Sequence, residues 1–135
     1  MTKRKYTNSV YTKNIWCLYM IRMPCGSIYT GITSNVDKRF KQHCDGTGAK
    51  CLRSKTPLVK VYSSPCVYDH KTVARIEYEI KHRRNKSFKE KLIIDQPADL
   101  FGYIYPSLAK EEVEKKLILI KEIEDQSNNN TVSDT

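Results

Sequence analysis

The chain has 135 residues, 39% of them hydrophobic and 29% charged, with a net charge of +9; this suits one modest globular domain with a single core and room for a small appendage. Its longest apolar run, Ile15 to Ile21, has seven residues, against about 20 for a membrane-spanning helix, and no apolar core follows Lys3, Arg4 and Lys5 to make a secretory signal. Five cysteines (Cys17, Cys25, Cys44, Cys51 and Cys66) without a CxxC pair argue against a disulfide framework or a structural zinc site, so an intracellular protein of cytoplasm or nucleus, with reduced thiols, is expected.

Residues 1–13 are polar and basic with no period and read as a flexible arm. Ile15 to Ile21 is a β-rich run that suits a buried strand. Pro24-Cys25-Gly26-Ser27 signals a turn, and Ile28 to Thr33 makes a second strand, so the two form a hairpin. Side chains alternate faces along a strand. Tyr19 and Tyr29 therefore share a face only if an odd number of residues loops between the paired ends. A loop from Met23 to Ser27 satisfies this and sets Tyr29 opposite Ile21.

Ser34 is the expected N-cap of a first helix, with Asp37 as a weak capping box. That helix should run to about Cys44, with Val36 and Phe40 facing inward and Arg39 and His43 one turn apart. Asp45-Gly46-Thr47-Gly48 ends it. Leu58 to Tyr62 is a third strand. Asp69 or Thr72 opens a second helix, to about Arg84, whose apolar stripe is Val73, Ile76 and Ile80. Glu77 falls inside that stripe. Ser87 to Ile94 is a further basic helix. Pro97 to Pro106 is aromatic and irregular. Ser107 caps a last helix to about Glu124, with Val113, Leu117 and Ile120 on one side. Residues 126–135 are expected to be disordered.

Charge is unevenly spread. Residues 1–93 hold 20 Lys/Arg against 6 Asp/Glu, a net +14, whereas residues 94–135 hold 4 against 9, a net −5. A basic body of this kind attracts polyanions, of which nucleic acid is the commonest. Lys50, Arg53, Lys55, Lys81, Arg83 and Arg84 are the expected phosphate contacts.

Four residue types in this chain suit phosphodiester chemistry. A carboxylate on an inward stripe, such as Glu77, needs a compensating cation. The compensation is either an ordinary ion pair or a hard metal ion such as Mg²⁺, which keeps waters and takes phosphate oxygens. A free tyrosine has a pKa of about 10 and serves as a base only where cations stabilise its phenolate. Arg39 and His43 stand close enough in sequence to supply that, or to form a plain basic helix face.

Taken in order, these positions resemble the GIY-YIG nuclease family. Leu18-Tyr19-Met20 stands where the GIY triplet belongs and Tyr29-Thr30-Gly31 where YIG belongs. Arg39-x-x-x-His43 is similar to the first-helix motif, and Glu77 to the metal-binding glutamate. The likeness spans roughly Trp16 to Ile94 and is greatest to the small stand-alone bacterial-type members, which also resemble Gly46-x-Gly48-Ala49-Lys50 and Glu77-Tyr78-x-Ile80-Lys81. The literal glycine of GIY is Leu18 here, and the central isoleucine of YIG is Thr30. A lysine found after the YIG glycine in excision-repair relatives is Ile32. Many members carry an asparagine after the glutamate helix; Asn85, eight residues past Glu77, is the candidate for it here, although the stand-alone group has no fixed equivalent.

The resemblance implies an α+β fold, a three-stranded antiparallel sheet flanked by helices in the order β-β-α-β-α-α plus a C-terminal helix. Together with the composition of the ends, this gives an arm (1–13), a nuclease domain (14–94), an extension with a helix (95–125) and a tail (126–135), the last two lying beyond the resemblance. It implies a metal-dependent DNA endonuclease of low sequence specificity using Mg²⁺ or Mn²⁺. Tyr19 would be the general base, Tyr29 would orient water or phosphate, and Arg39 would hold the phosphate. His43 would accept a hydrogen bond from Tyr19 and carry its proton away, and Glu77 would bind the metal. Exchange of the two tyrosine roles stays open. So do a nucleic-acid-binding protein that does not cut and a nuclease acting on RNA. Double-stranded or branched DNA is the expected partner, with self-association through the C-terminal helix as a further one.

Overall fold

In the computed structural model, which describes the backbone of residues 12–133 and the side chains of residues 12–127, the apolar run becomes the middle strand of a three-stranded antiparallel sheet ordered β2-β1-β3. The strands are β1 (Cys17–Arg22), β2 (Ile28–Thr33) and β3 (Val59–Ser63). A middle strand is covered on both faces, and residues Cys17 to Ile21 are accordingly all apolar and all buried. The basic arm expected over residues 1–13 lies, except for Thr12 and Lys13, outside the described residues.

The hairpin has the odd loop. Arg22 pairs with Ile28, Ile21 with Tyr29 and Tyr19 with Gly31, which leaves Met23 to Ser27 unpaired. The loop is closed by Met23 N–H donating to Ser27 C=O and Gly26 N–H donating to Met23 C=O, both at 2.9 Å. Gly26 takes φ +92° there, a left-handed conformation that glycine adopts without steric cost. The third strand starts one residue later than expected. Leu58 stays ahead of it as a core residue, and a bulge sets Met20 opposite Tyr62 but Ile21 opposite Lys60.

Helix α1 (Val36–Cys44) is capped by Asn35, whose Oδ1 accepts the Lys38 N–H at 3.1 Å. Ser34 was the expected cap. The Thr33 hydroxyl accepts the Asn35 N–H at 3.1 Å, a turn that leaves Ser34 in the bend and brings Asn35 to the helix entrance. Helix α2 (His70–Arg83) starts from Asp69, which accepts the Thr72 N–H at 2.9 Å, and its Val73, Ile76 and Ile80 are buried. Helix α3 (Lys86–Asp95) is capped by Asn85 and not by Ser87, Asn85 Oδ1 accepting the Phe88 N–H at 2.9 Å. Arg22 donates to both carboxylate oxygens of Glu90 on α3, at 3.0 and 2.5 Å, and to the Gly26 carbonyl at 3.2 Å. One guanidinium thus joins the end of β1, the hairpin loop and α3.

The core on the Tyr19 face comprises Tyr19, Ile21, Leu52 and Leu58, with Met23, Tyr29, Val36, Phe40 and Ala49 packed around them. Helix α2 packs against β1 and β2. These elements form one compact unit that ends at Asp99, a few residues past the expected boundary.

The second unit begins at Leu100 and holds α4 (Leu100–Ile104) and α5 (Pro106–Ser133). The stretch expected to be irregular thus contains a short helix. Its Gly102 disfavours helix, but Leu100 and Ile104, one turn apart, are both buried. Helix α5 opens on Pro106, whose missing N–H costs nothing at a first helical position. It continues past Glu124 to Ser133, into the segment expected to be disordered, since extending a formed helix is far easier than starting one. Its Val113, Leu117 and Ile120 are 55%, 60% and 52% exposed. No helix among the described residues is long and apolar enough to cross a membrane, and all five cysteines are free thiols.

Thr30 is 3% exposed, and its Oγ1 has no hydrogen-bond partner. A buried hydroxyl with no partner is destabilising. Thr30→Val keeps the shape and removes that hydroxyl, so urea denaturation should give a variant more stable by about 1 kcal/mol.

Candidate active site

Tyr19 reaches across the hairpin to lie over the strand partner of its own residue. A β-carbon built on Gly31 would stand 2.5 Å from Tyr19 Oη and 2.6 Å from Cζ. Only glycine leaves space for the ring, which gives the last position of Tyr29-Thr30-Gly31 a physical reason. The odd loop then puts Tyr29 on the same face, with the two ring centroids 6.2 Å apart.

His43 completes an aromatic cluster from the far end of α1. Its ring centroid is 5.7 Å from Tyr19 and 5.4 Å from Tyr29, and its Nε2 is 2.7 Å from Tyr19 Oη. Both Tyr19 and His43 are 1% exposed. The Ala49 N–H donates to His43 Nδ1 at 3.2 Å. A ring nitrogen that accepts carries no hydrogen, so the neutral imidazole bears its proton on Nε2 and donates to Tyr19. That is the reverse of the direction implied by the resemblance.

Arg39 stands one turn before His43, and its Nη1 donates to Gln42 Oε1 at 3.1 Å. Arg39, Gln42 and Lys38, together with Thr33, Ser34 and Asn35, line an open polar cleft of about 390 Å³. Burial raises the Tyr19 pKa well above the ordinary phenol value, Tyr29 adds to this, and the Arg39 guanidinium works against it. Burial, and then the Arg39 charge, lower the His43 pKa. At neutral pH Tyr19 is therefore a protonated phenol beside an uncharged imidazole.

Glu77 joins this group through Lys81. The Lys81 ammonium is 5.7 Å from the Tyr29 ring centroid and 3.3 Å from Glu77 Oε2. The Glu77 side chain is 23% exposed, so it flanks the buried stripe instead of lying within it. The compensating cation is a lysine four residues on, in a part-exposed pair of the kind that contributes little to stability. Among the described residues no three His, Cys, Asp or Glu side chains are grouped to hold a metal. One accessible carboxylate fits a hard cation that keeps most of its water and takes phosphate oxygens, and it does not fit a closed protein cage.

Tyr19, Tyr29 and His43 thus form one cluster, Arg39 acts on Tyr19, and Glu77 is linked to the cluster through Lys81. The expected phosphate contacts separate into two kinds. Lys50, Arg53 and Lys55 are exposed, around a 3₁₀ turn at Lys50–Leu52. Lys81 lies inside the site. Arg83 is 3.8 Å from Glu79, whereas Arg84 is tied to Glu79 at 2.9 Å and stacks on Phe88 at 4.7 Å, so Arg84 braces the junction of α2 and α3. Asn85 is engaged as the cap of α3. Gln42, Gly48 and Ala49 had no expected role. The closely spaced pair of glycines after α1 was the available signal, because such glycines let backbone approach a side chain.

Residues 15–91 match the GIY-YIG catalytic domain. A UPF0213 protein of Autographa californica nuclear polyhedrosis virus is 46% identical over 96 residues, covering 71% of this chain and 92% of that protein. A UPF0213 protein of the bacterium Photorhabdus laumondii is 42% identical over 92 residues, covering 68% of this chain and 86% of that one. The solution structure of a UPF0213 protein from Bacillus halodurans shares 32% identity over 68% of this chain and 96% of that chain, with a TM-score of 0.40. The chain belongs to the GIY-YIG family, a family of endonucleases, and its relatives include small stand-alone members from bacteria and viruses.

Gly31→Ala would press a methyl group against Tyr19. It should lower stability by about 1–3 kcal/mol in urea denaturation and detach Tyr19 from His43, seen as a shift of the His43 ring resonances in NMR spectra. An unshifted His43 would mean that the ring does not depend on the glycine.

Proposed function

We propose that this protein is a divalent-metal-dependent endonuclease that hydrolyses DNA phosphodiester bonds with little sequence preference. The observation that carries the reading is the convergence of Tyr19, Tyr29, His43 and Arg39 with the Glu77–Lys81 pair. Membership of an endonuclease family supports it.

Tyr19 is the general base and takes a proton from the attacking water. Burial holds the phenol's own proton, so Tyr19 acts only after losing it. Arg39, steadied by Gln42 at the edge of the open cleft, holds the scissile phosphate and offsets the charge that grows on it. Tyr29 orients water or phosphate beside Tyr19. Glu77 is the protein ligand for Mg²⁺ or Mn²⁺. When bound, the ion supplies polarisation of the phosphate and stabilisation of the leaving 3′-oxygen. The products carry 5′-phosphate and 3′-hydroxyl ends. Lys50, Arg53 and Lys55 contact phosphates without reading bases, which suits binding that follows DNA shape more than sequence.

Purified protein incubated with plasmid and branched DNA should cut with Mg²⁺ or Mn²⁺ and stop with EDTA. Tyr19→Phe and Glu77→Ala should each abolish cutting while binding in gel-shift assays persists. Cutting that survives both substitutions, or binding with no cutting under any metal, defeats the reading. RNA substrates run alongside decide between the two nucleic acids.

The pH dependence has a definite sign. The base form of Tyr19 grows as pH rises toward its elevated pKa, so log kcat/KM should climb by about one unit per pH unit through the neutral and alkaline range. A flat profile would show that Tyr19 does not have to ionise. Replacing Lys50, Arg53 and Lys55 together by alanine should weaken binding and flatten the dependence of log K on log salt by about one for each phosphate no longer neutralised.

A further inference from the structure

The turn from Asp45 to Ala49 takes no part in the reaction described above, yet its backbone reaches the centre of the site. Asp45 N–H donates to Lys41 C=O at 2.9 Å, and the Thr47 and Gly48 N–H groups both donate to Gln42 C=O at 3.0 Å. Gly46 takes φ +80° to reverse the chain. These bonds fold the turn back onto the last turn of α1. A β-carbon on Gly48 would overlap His43 Nδ1. The missing side chain is what lets the next amide, that of Ala49, aim its N–H at Nδ1.

Nδ1 therefore cannot gain a proton without setting two donors against each other. Tyr19, Tyr29 and Arg39 are the titratable or charged groups that face the ring. None of them is a carboxylate that would stabilise an imidazolium. The ring's single hydrogen lies on Nε2, toward Tyr19 Oη at 2.7 Å.

We propose that the Gly46–Ala49 turn is a positioning element that fixes His43 as a hydrogen-bond donor to Tyr19, so that His43 orients Tyr19 and stabilises its phenolate but does not receive its proton. The proton of Tyr19 passes to solvent water, and the electron pair stays on Oη. Oη then takes a proton from the attacking water and becomes neutral phenol again, and a second loss to solvent resets the site. This inference rests on the reading of Tyr19 as general base. It assigns Gly48 and the Ala49 amide to the site as positioning groups that act through His43.

Nitrogen-15 NMR of the imidazole rings reads the tautomer with no substrate or metal present. At neutral pH His43 should show a protonated Nε2 and a bare Nδ1. A protonated Nδ1 overturns the proposal outright. An ester in place of the Gly48–Ala49 amide, introduced by semisynthesis with L-lactate at position 49, removes the N–H that faces His43 Nδ1 without adding an atom there. It should convert the His43 signals into a mixture of tautomers and slow cutting several-fold, whereas an unchanged tautomer would overturn the role of the amide. His43→Gln puts an amide nitrogen near the position of Nε2 that donates but takes no proton. It should cut within about tenfold of the unsubstituted protein, whereas His43→Leu should lose about a hundredfold or more. Equal losses in the two variants would mean that the imidazole does take the proton, and the proposal fails. Absence of cutting by the unsubstituted protein overturns instead the reading of Tyr19 as a base, and the NMR result distinguishes the two failures.

Discussion

A buried phenol lying over a glycine governs how this domain is put together. Tyr19 belongs to the middle strand, where both faces are covered, so its ring is packed within the protein. It fits because the residue opposite has no side chain. Its hydroxyl then needs a partner, since a buried polar group left unpaired is costly. His43 meets that need, and α1 must pack where it does for His43 to arrive. His43 needs a partner in turn, which the backbone of the following turn provides. A strand, a helix and a loop are thereby committed to one another by a chain of two hydrogen bonds.

The electrostatics of the site follow from that arrangement. Burial opposes charge on both Tyr19 and His43, and Arg39 acts on each in a different sense. It favours a negative phenolate and disfavours a positive imidazole. One cation at the edge of the buried cluster therefore biases both groups toward the states that the proposed base and its supporting donor require. The carboxylate, by contrast, stands part-exposed beside Lys81 in an i,i+4 ion pair of a kind that contributes little to stability.

Much of this was legible in the residues. Strand alternation and loop parity are geometric, so the shared face of Tyr19 and Tyr29 followed from counting. The stripe of Val73, Ile76 and Ile80 placed α2 correctly. Helix starts were harder to read. Asn35 and Asn85 cap where Ser34 and Ser87 were expected, because good caps stood near one another and the choice fell to turns such as that of Thr33 onto the Asn35 amide. Helix α4 was invisible, since its glycine argues against helix and only burial of Leu100 and Ile104 overrides it. Within the site, side-chain identity pointed to Tyr19, Tyr29, Arg39, His43 and Glu77. The contribution of Ala49 could not be read, because it comes from a backbone N–H that every residue but proline possesses. The direction of the Tyr19–His43 bond depended on that unseen donor.

The five-residue connection between β1 and β2 bears on how such a protein can diverge. A residue added there keeps Tyr29 beside Tyr19 as long as the loop itself takes it up and Arg22 stays paired with Ile28. A slip of the pairing by one residue, by contrast, would turn every side chain of the strand to the opposite side of the sheet. Length within this loop is therefore tolerated and register is not, and of the loop residues Met23, packed on the core, and Gly26, at φ +92°, are the least able to change.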